Sequence, residues 1–194
     1  MKRIISLSFA FVFCMSLQAQ VRFGVKAGLN LANISVSDAS GSSFSMKPDF
    51  YAGVLASIPL VGKLSLQPEV VYSGQGSDVK EGGDKGKYNL GYVNVPVLVK
   101  YEILSGLHVE TGPQLGVLVS AKVKADGAPS TDIKSELKTA DFGWTLGASY
   151  LLPLNLGFDV RYNLGLTNYL KNTSIGSIKN GVLQIGVFYL FGKK

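Results

Sequence analysis

His108 is the only histidine of the chain and stands close before Glu110, a spacing that sets both side chains on one face of an extended strand. A histidine beside a carboxylate is raw material for general acid–base catalysis, which also needs a nucleophile or a positioned water. Neither a nucleophile elbow nor a metal-binding spacing accompanies the pair. His108 therefore reads first as a structural group, with a lipid-modifying enzyme built on His108 and Glu110 as the weaker alternative. The glycine-rich run 74–87 lacks the lysine and hydroxyl positions of a phosphate loop. Asp78, Glu81 and Asp84 within it miss the spacing of a calcium loop. No catalytic residue, cofactor or metal site is assigned.

The N-terminus explains the only cysteine. Lys2 and Arg3 precede an apolar run over 4–17, and Gln18-Ala19-Gln20 follows. This is the layout of a secretory signal, residues 1–19, leaving a single domain over 20–194. Cys14 falls inside the signal, so the mature domain has no disulfide, thiol nucleophile or cysteine metal site. Removing Lys2 and Arg3 leaves a modest positive charge whose residues are scattered, which argues against nucleic acid as a partner.

At 194 residues and a mean hydropathy of +0.24, the chain is apolar for its glycine content. Beyond the N-terminus no run of about 20 apolar residues offers a membrane helix. The apolar residues are instead spread over eight alternating segments, at 22–32, 48–60, 63–74, 88–102, 107–120, 141–152, 156–166 and 180–191. The last shows the pattern well: Leu183, Ile185, Val187, Tyr189 and Phe191 share one face, against Val182, Gln184, Gly186, Phe188 and Leu190. In the second, small residues on both sides leave the faces ambiguous.

Tight turns near Val61-Gly62, Ser105-Gly106 and Pro153-Leu154-Asn155 alternate with longer links around 38–45, 76–87, 121–140 and 167–179, rich in Gly, Ser, Asp and Lys. Alternation of short and long links is the layout of an all-β, eight-stranded antiparallel up-and-down transmembrane barrel, with short periplasmic turns and four longer surface loops.

Charge decides which face is inside. One face per segment is uniformly apolar; the other carries Lys26, Glu69, Lys100, Glu110, Asp159 and Arg161. A soluble lipocalin-like carrier of a hydrophobic ligand would turn the apolar face inward. A membrane barrel turns it outward, because Arg or Lys on the lipid face costs roughly 2–4 kcal/mol at midplane. The second arrangement is favoured, with those six residues in the lumen as structural groups. Tyr72, Tyr101, Trp144, Tyr150, Tyr162, Tyr189 and Phe191 would then face lipid or form its aromatic girdles. Eight strands enclose a space that side chains can fill.

FGVKAGLNLAN (23–33), LSLQPEVVYSGQG (64–76), YVNVPVLVKYEI (92–103) and HVETGPQLGVL (108–118) resemble the PorT-type outer-membrane β-barrel family over nearly the whole mature chain. The best of these motifs are G-x-K-x-G-x-N from Gly24 and Y-x-x-x-P-x-L-x-K-Y from Tyr92. The family is similar in architecture to small OmpX- and OmpA-type barrels. The resemblance implies a cell outer-membrane location and a barrel fold, and brings no catalytic set. The expected protein is a noncatalytic, monomeric integral barrel with a structural or surface role. Its partners would be outer-membrane lipid, the barrel-insertion machinery, and a surface partner reached through the loops. The chain ends in FGKK, so Phe191 is the residue left to act as the C-terminal assembly signal.

Overall fold

The computed structural model describes residues 21–36, 43–81, 84–125, 130–167 and 178–192. The expected signal, residues 1–19, lies outside them. Eight long strands account for most of the described chain: β1 (Arg22–Val36), β2 (Ser43–Pro59), β3 (Leu64–Glu81), β4 (Asp84–Leu104), β5 (Leu107–Ala125), β7 (Ala140–Leu151), β8 (Leu156–Gly165) and β9 (Ile178–Leu190). A two-residue strand, β6 (Thr131–Asp132), and a 3-10 turn, Lys134–Glu136, lie between β5 and β7. Each long strand pairs antiparallel with its neighbours in sequence, and β1 pairs with β9, so the sheet closes on itself. Closure removes the exposed edges of an open sheet. The product is a closed eight-stranded antiparallel all-β barrel.

The short turns form where the sequence supplies residues that accept positive φ. Gly62 (φ 63°), Gly106 (φ 82°) and Asn155 (φ 62°) occupy the three tight connections. Asn155 is the only non-glycine with positive φ among the described residues, and asparagine tolerates that region better than most side chains. It also ties the barrel seam. Its carbonyl accepts from Leu190 N at 3.0 Å, its Nδ2 donates to Gly192 O at 2.8 Å, and its Oδ1 accepts from Arg22 Nη1 at 3.3 Å. One turn residue thus holds both chain ends of the sheet.

The link expected over 76–87 is not a loop. β3 continues to Glu81 and β4 begins at Asp84, with the ladder running unbroken from Val71↔Asn94 to Glu81↔Asp84. Backbone pairing propagates from the wall beneath it, so it does not need the apolar alternation that marks the strands lower down.

Alternation sets the faces. Phe23, Val25, Leu29, Val97, Val99, Leu115, Val160 and Ile185 are exposed on the outside, while Lys26, Asn30, Leu98, Lys100, Gln114, Arg161 and Gln184 are buried within. β2 places Tyr51 and Leu55 inward and Phe50 and Val54 outward, which resolves the ambiguous second segment. Glycine makes room at two places inside. A side chain at Gly157 would collide with the Phe188 ring, and one at Gly186 with the Tyr51 hydroxyl and the Ala27 carbonyl.

Candidate functional site

The lumen is layered. At mid-height the strands β1, β3, β4, β5 and β8 each contribute charge to one buried network. Arg161 is its centre: Nη1 lies 2.8 Å from Glu69 Oε2, and Nε donates to Glu110 Oε1 and lies 3.6 Å from Asp159 Oδ1. Lys26 Nζ lies 3.2 Å from Glu69 Oε2 and 3.6 Å from Asp159 Oδ2, while Lys100 Nζ lies 3.3 Å from Glu110 Oε2. Three cations therefore meet three carboxylates, and the layer carries no net formal charge. Buried ions are tolerated when paired and hydrogen-bonded in this way.

Neutral groups complete the layer. Gln67 bridges two strands, giving Nε2 to Glu69 Oε1 at 2.7 Å and taking Lys100 Nζ on Oε1 at 3.2 Å. Ser149 donates to Glu110 Oε2 at 3.3 Å, and the Tyr51 hydroxyl donates to Asp159 Oδ1 at 3.1 Å. Lys26 Nζ also sits 5.3 Å from the Tyr51 ring centre and Lys100 Nζ 5.2 Å from that of Phe188, within range of cation–π attraction. Among the described residues Arg161 Nη2 and Asn163 Nδ2 find no hydrogen-bond partner.

A second, uncharged layer lies toward the long-link end. Asn30 Nδ2 donates to Ser73 Oγ at 2.8 Å and to Gly74 O at 2.6 Å, Gln184 Nε2 donates to Asn30 Oδ1 at 2.8 Å, and Thr145 donates to Asn163 Oδ1 at 2.7 Å. Apolar clusters lie toward both ends of the lumen. Leu55, Phe188 and Leu190, with Leu151 against them, close the short-turn end. Leu90, Tyr92, Leu118 and Ala121 cluster at the other end, and Ile133 and Leu137 fold over them from the segment after β5. That segment is anchored by β6 pairing Lys122↔Asp132, by Ile133 N to Ala121 O at 3.1 Å and by Leu118 N to Thr139 O at 2.7 Å.

The lid is the part that sequence reading missed. Residues 121–140 were expected as a polar loop, and the apolar pair Ile133 and Leu137, one helical turn apart among polar residues, was the available signal.

His108 and Glu110 do not form a dyad. Both Glu110 oxygens are engaged within the charged layer. His108 Nδ1 faces Gly106 O at 3.0 Å, at a cavity of about 300 Å³ lined also by Arg22, Lys63 and Glu102 at the short-turn mouth. Among the described residues no group of metal-ligating side chains comes together.

On the outside, Tyr72, Tyr101, Trp144, Tyr150, Tyr162, Tyr189 and Phe191 are all exposed. Tyr101, Tyr150, Tyr189 and Phe191 lie near the short-turn end, with Tyr189 and Phe191 in edge contact at 5.6 Å. Tyr72, 5.8 Å from Phe50, and Trp144 lie farther along their strands, with Tyr162 between. The Trp144 indole donates to Thr111 Oγ1 at 2.8 Å, and Thr111 in turn donates to Thr145 O at 3.0 Å. Its polar atom is thus satisfied within the wall rather than by solvent.

An apolar exterior around a charged, packed interior reverses the order of a water-soluble barrel. The model of the outer membrane protein beta-barrel domain matches residues 16–171. The chain belongs to that family. Lys26 and Asn30 of the G-x-K-x-G-x-N motif and Lys100 of the fourth-strand motif are among the residues that fill its lumen.

No curated protein matches the chain significantly. Among solved structures it is similar to Neisserial surface protein A, at 17% identity and TM-score 0.57, covering 87% of this chain and 97% of that one. It is also similar to Ail, the attachment invasion locus protein of Yersinia pestis, in a complex with the heparin analogue sucrose octasulfate. There the identity is 12% and the TM-score 0.55, covering 88% of this chain and 99% of that one. At these identities the likeness is one of fold.

Proposed function

We propose that the protein is a noncatalytic integral barrel of the outer membrane, anchored by its apolar outer face and acting through the surface at its long-link end. The observation that carries this reading is the inside-out distribution of charge. Lys26, Glu69, Lys100, Glu110, Asp159 and Arg161 are 4% exposed or less, whereas Phe23 is 66%, Leu29 59% and Leu146 58% exposed. Apolar surface of that extent is unfavourable in water and favourable in lipid. Tyr72, Tyr101, Trp144, Tyr150, Tyr162, Tyr189 and Phe191 are then lipid-facing or girdle residues.

A soluble carrier needs the opposite arrangement, an apolar pocket within and polar groups outside. The charged layer occupies the place of that pocket. The lumen is a filled core, and the surface role falls to the outer hairpins and the lid, where Lys122, Lys124 and Lys134 are exposed and favour an anionic partner. Within the family, the motifs from Gly24 and Tyr92 support a PorT-type placement. Residues 1–19 serve as the export signal in this reading, and the barrel works as a monomer after delivery to the insertion machinery.

The test is fractionation with gel migration of unheated against boiled samples. A detergent-requiring outer-membrane band whose mobility changes on boiling is expected. Soluble periplasmic material with unchanged mobility would overturn the proposal.

A further inference from the structure

Besides Pro48, in the irregular stretch of β2 between Met46 and Tyr51, and Pro59 at the end of β2, three prolines sit inside neighbouring strands of the closed wall: Pro68 on β3, Pro96 on β4 and Pro113 on β5. Proline has no N–H to give to a ladder and is confined in ordinary sheets to edges and bulges. A closed barrel has no edge to offer.

Each proline coincides with a gap in the pairing. Between β2 and β3 the ladder stops at Leu55↔Glu69 and resumes at Ile58↔Leu66, skipping Pro68. Between β3 and β4 it stops at Pro68↔Val97 and resumes at Val71↔Asn94, skipping Glu69 and the facing Pro96. Between β4 and β5 it stops at Pro96↔Gln114 and resumes at Val99↔Thr111, skipping Pro113. The register is the same on both sides of every gap, so none is a bulge. Ala56, Glu69 and Val97 each face a proline, and their carbonyls lose the donor a ladder would supply.

The gaps adjoin one another. Val97 faces Pro68 on one side and lies within the next gap on the other. The opposite wall is whole: β7 to β8, β8 to β9 and β9 to β1 pair without interruption from Gly143↔Gly165 to Leu151↔Gly157, Leu156↔Tyr189 to Leu164↔Gly181, and Gly24↔Leu190 to Val36↔Ile178.

Two other features fall on the same patch. A side chain at Gly112 would strike the Val97 carbonyl, so β4 and β5 pass closely there. An apolar cavity of about 420 Å³ on the outer face is lined by Val54, Ala56, Pro68, Val70 and Val95, over the first two gaps.

We infer that the barrel contains a built-in seam of local opening, running across the strands from β2 to β5 through Pro68, Pro96 and Pro113, along which the strands part before the rest of the wall unfolds. Local opening of this kind follows the backbone hydrogen bonds that are missing. The seam is a property of the ladder and stands whether or not the barrel resides in a membrane.

The experiment is residue-resolved amide hydrogen exchange on the folded full-length barrel in lipid nanodiscs, repeated in detergent. Amides of Ala56, Glu69 and Val97, which point into the gaps, are expected to exchange about tenfold or more faster than those of Ala27, Val160 and Ile185 on the unbroken wall. Pro113→Thr, which restores a donor at an outward-facing position, should slow exchange at Val97 by a similar factor, and Pro68→Thr should do so at Ala56. Pro153→Thr in the β7–β8 turn should leave the seam unchanged. Pro96→Thr changes a buried position and is the variant most exposed to misfolding, so Pro113→Thr carries the test. Equal protection on both walls, or a Pro113→Thr barrel with no local slowing, would overturn the inference.

Discussion

The charged layer at mid-barrel and the apolar lid at the outer mouth fill the same lumen by different means. The layer is made of strand residues whose positions are fixed by the ladder, with Arg161 of β8 held between Glu69 of β3 and Glu110 of β5 across the lumen. Withdrawal of any one member leaves the buried layer with an uncompensated charge. The lid is made of Ile133 and Leu137 from a connecting segment, held at its ends by a short pairing and a few backbone hydrogen bonds. A filled lumen therefore has a part on which the barrel depends and a part that is added to it.

Substitutions can break that contrast or sharpen it. Arg161→Leu should have the largest effect, a loss of about 3–5 kcal/mol, because it leaves three buried carboxylates facing only Lys26 and Lys100; the urea midpoint of the heat-resistant form is the readout. On the outer face, Leu115→Arg or Val97→Arg should cost about 2–4 kcal/mol if the position lies near midplane, seen as reduced assembly into vesicles. Normal assembly of both would contradict a lipid-facing surface. Gly157→Leu, which drives a side chain into the Phe188 ring, should cost about 1–3 kcal/mol by overpacking, measured by the same midpoint.

In the lid, Leu137→Ser should cost about 1 kcal/mol, since the side chain is only partly buried. Trypsin should then cleave after Lys134 or Lys138 while the barrel keeps its boiling-dependent shift. A lid variant as damaging as Arg161→Leu would erase the distinction. Lys122→Gln should change stability by no more than about 0.5 kcal/mol, a result checked by an unchanged midpoint.

The sequence carried the wall better than its ends. Period-two alternation with tight-turn residues at Gly62, Gly106 and Asn155 was enough to place eight strands, because each strand must show one face to the lumen and the other outward. The same alternation gathered Lys26, Glu69, Lys100, Glu110, Asp159 and Arg161 on one side of the sheet. Which cation meets which carboxylate was not legible, since the pairing depends on how the strands are staggered around the closed wall. The outer hairpin of β3 and β4 was hidden for another reason: Gly, Ser, Asp and Lys are turn formers by composition, yet a strand already begun can carry them. The lid was hidden because two apolar side chains in a polar segment have no period to reveal them.

The sole tryptophan of the chain allows the most direct test, since Trp144 is exposed at mid-wall with its indole N–H already bonded to Thr111. Its fluorescence would be measured in vesicles made with lipids brominated along the acyl chain, and separately with iodide in the water. An apolar face embedded in a bilayer predicts strong quenching by the brominated chains and little by iodide; quenching by iodide with no response to the lipid would place Trp144 in water and contradict it.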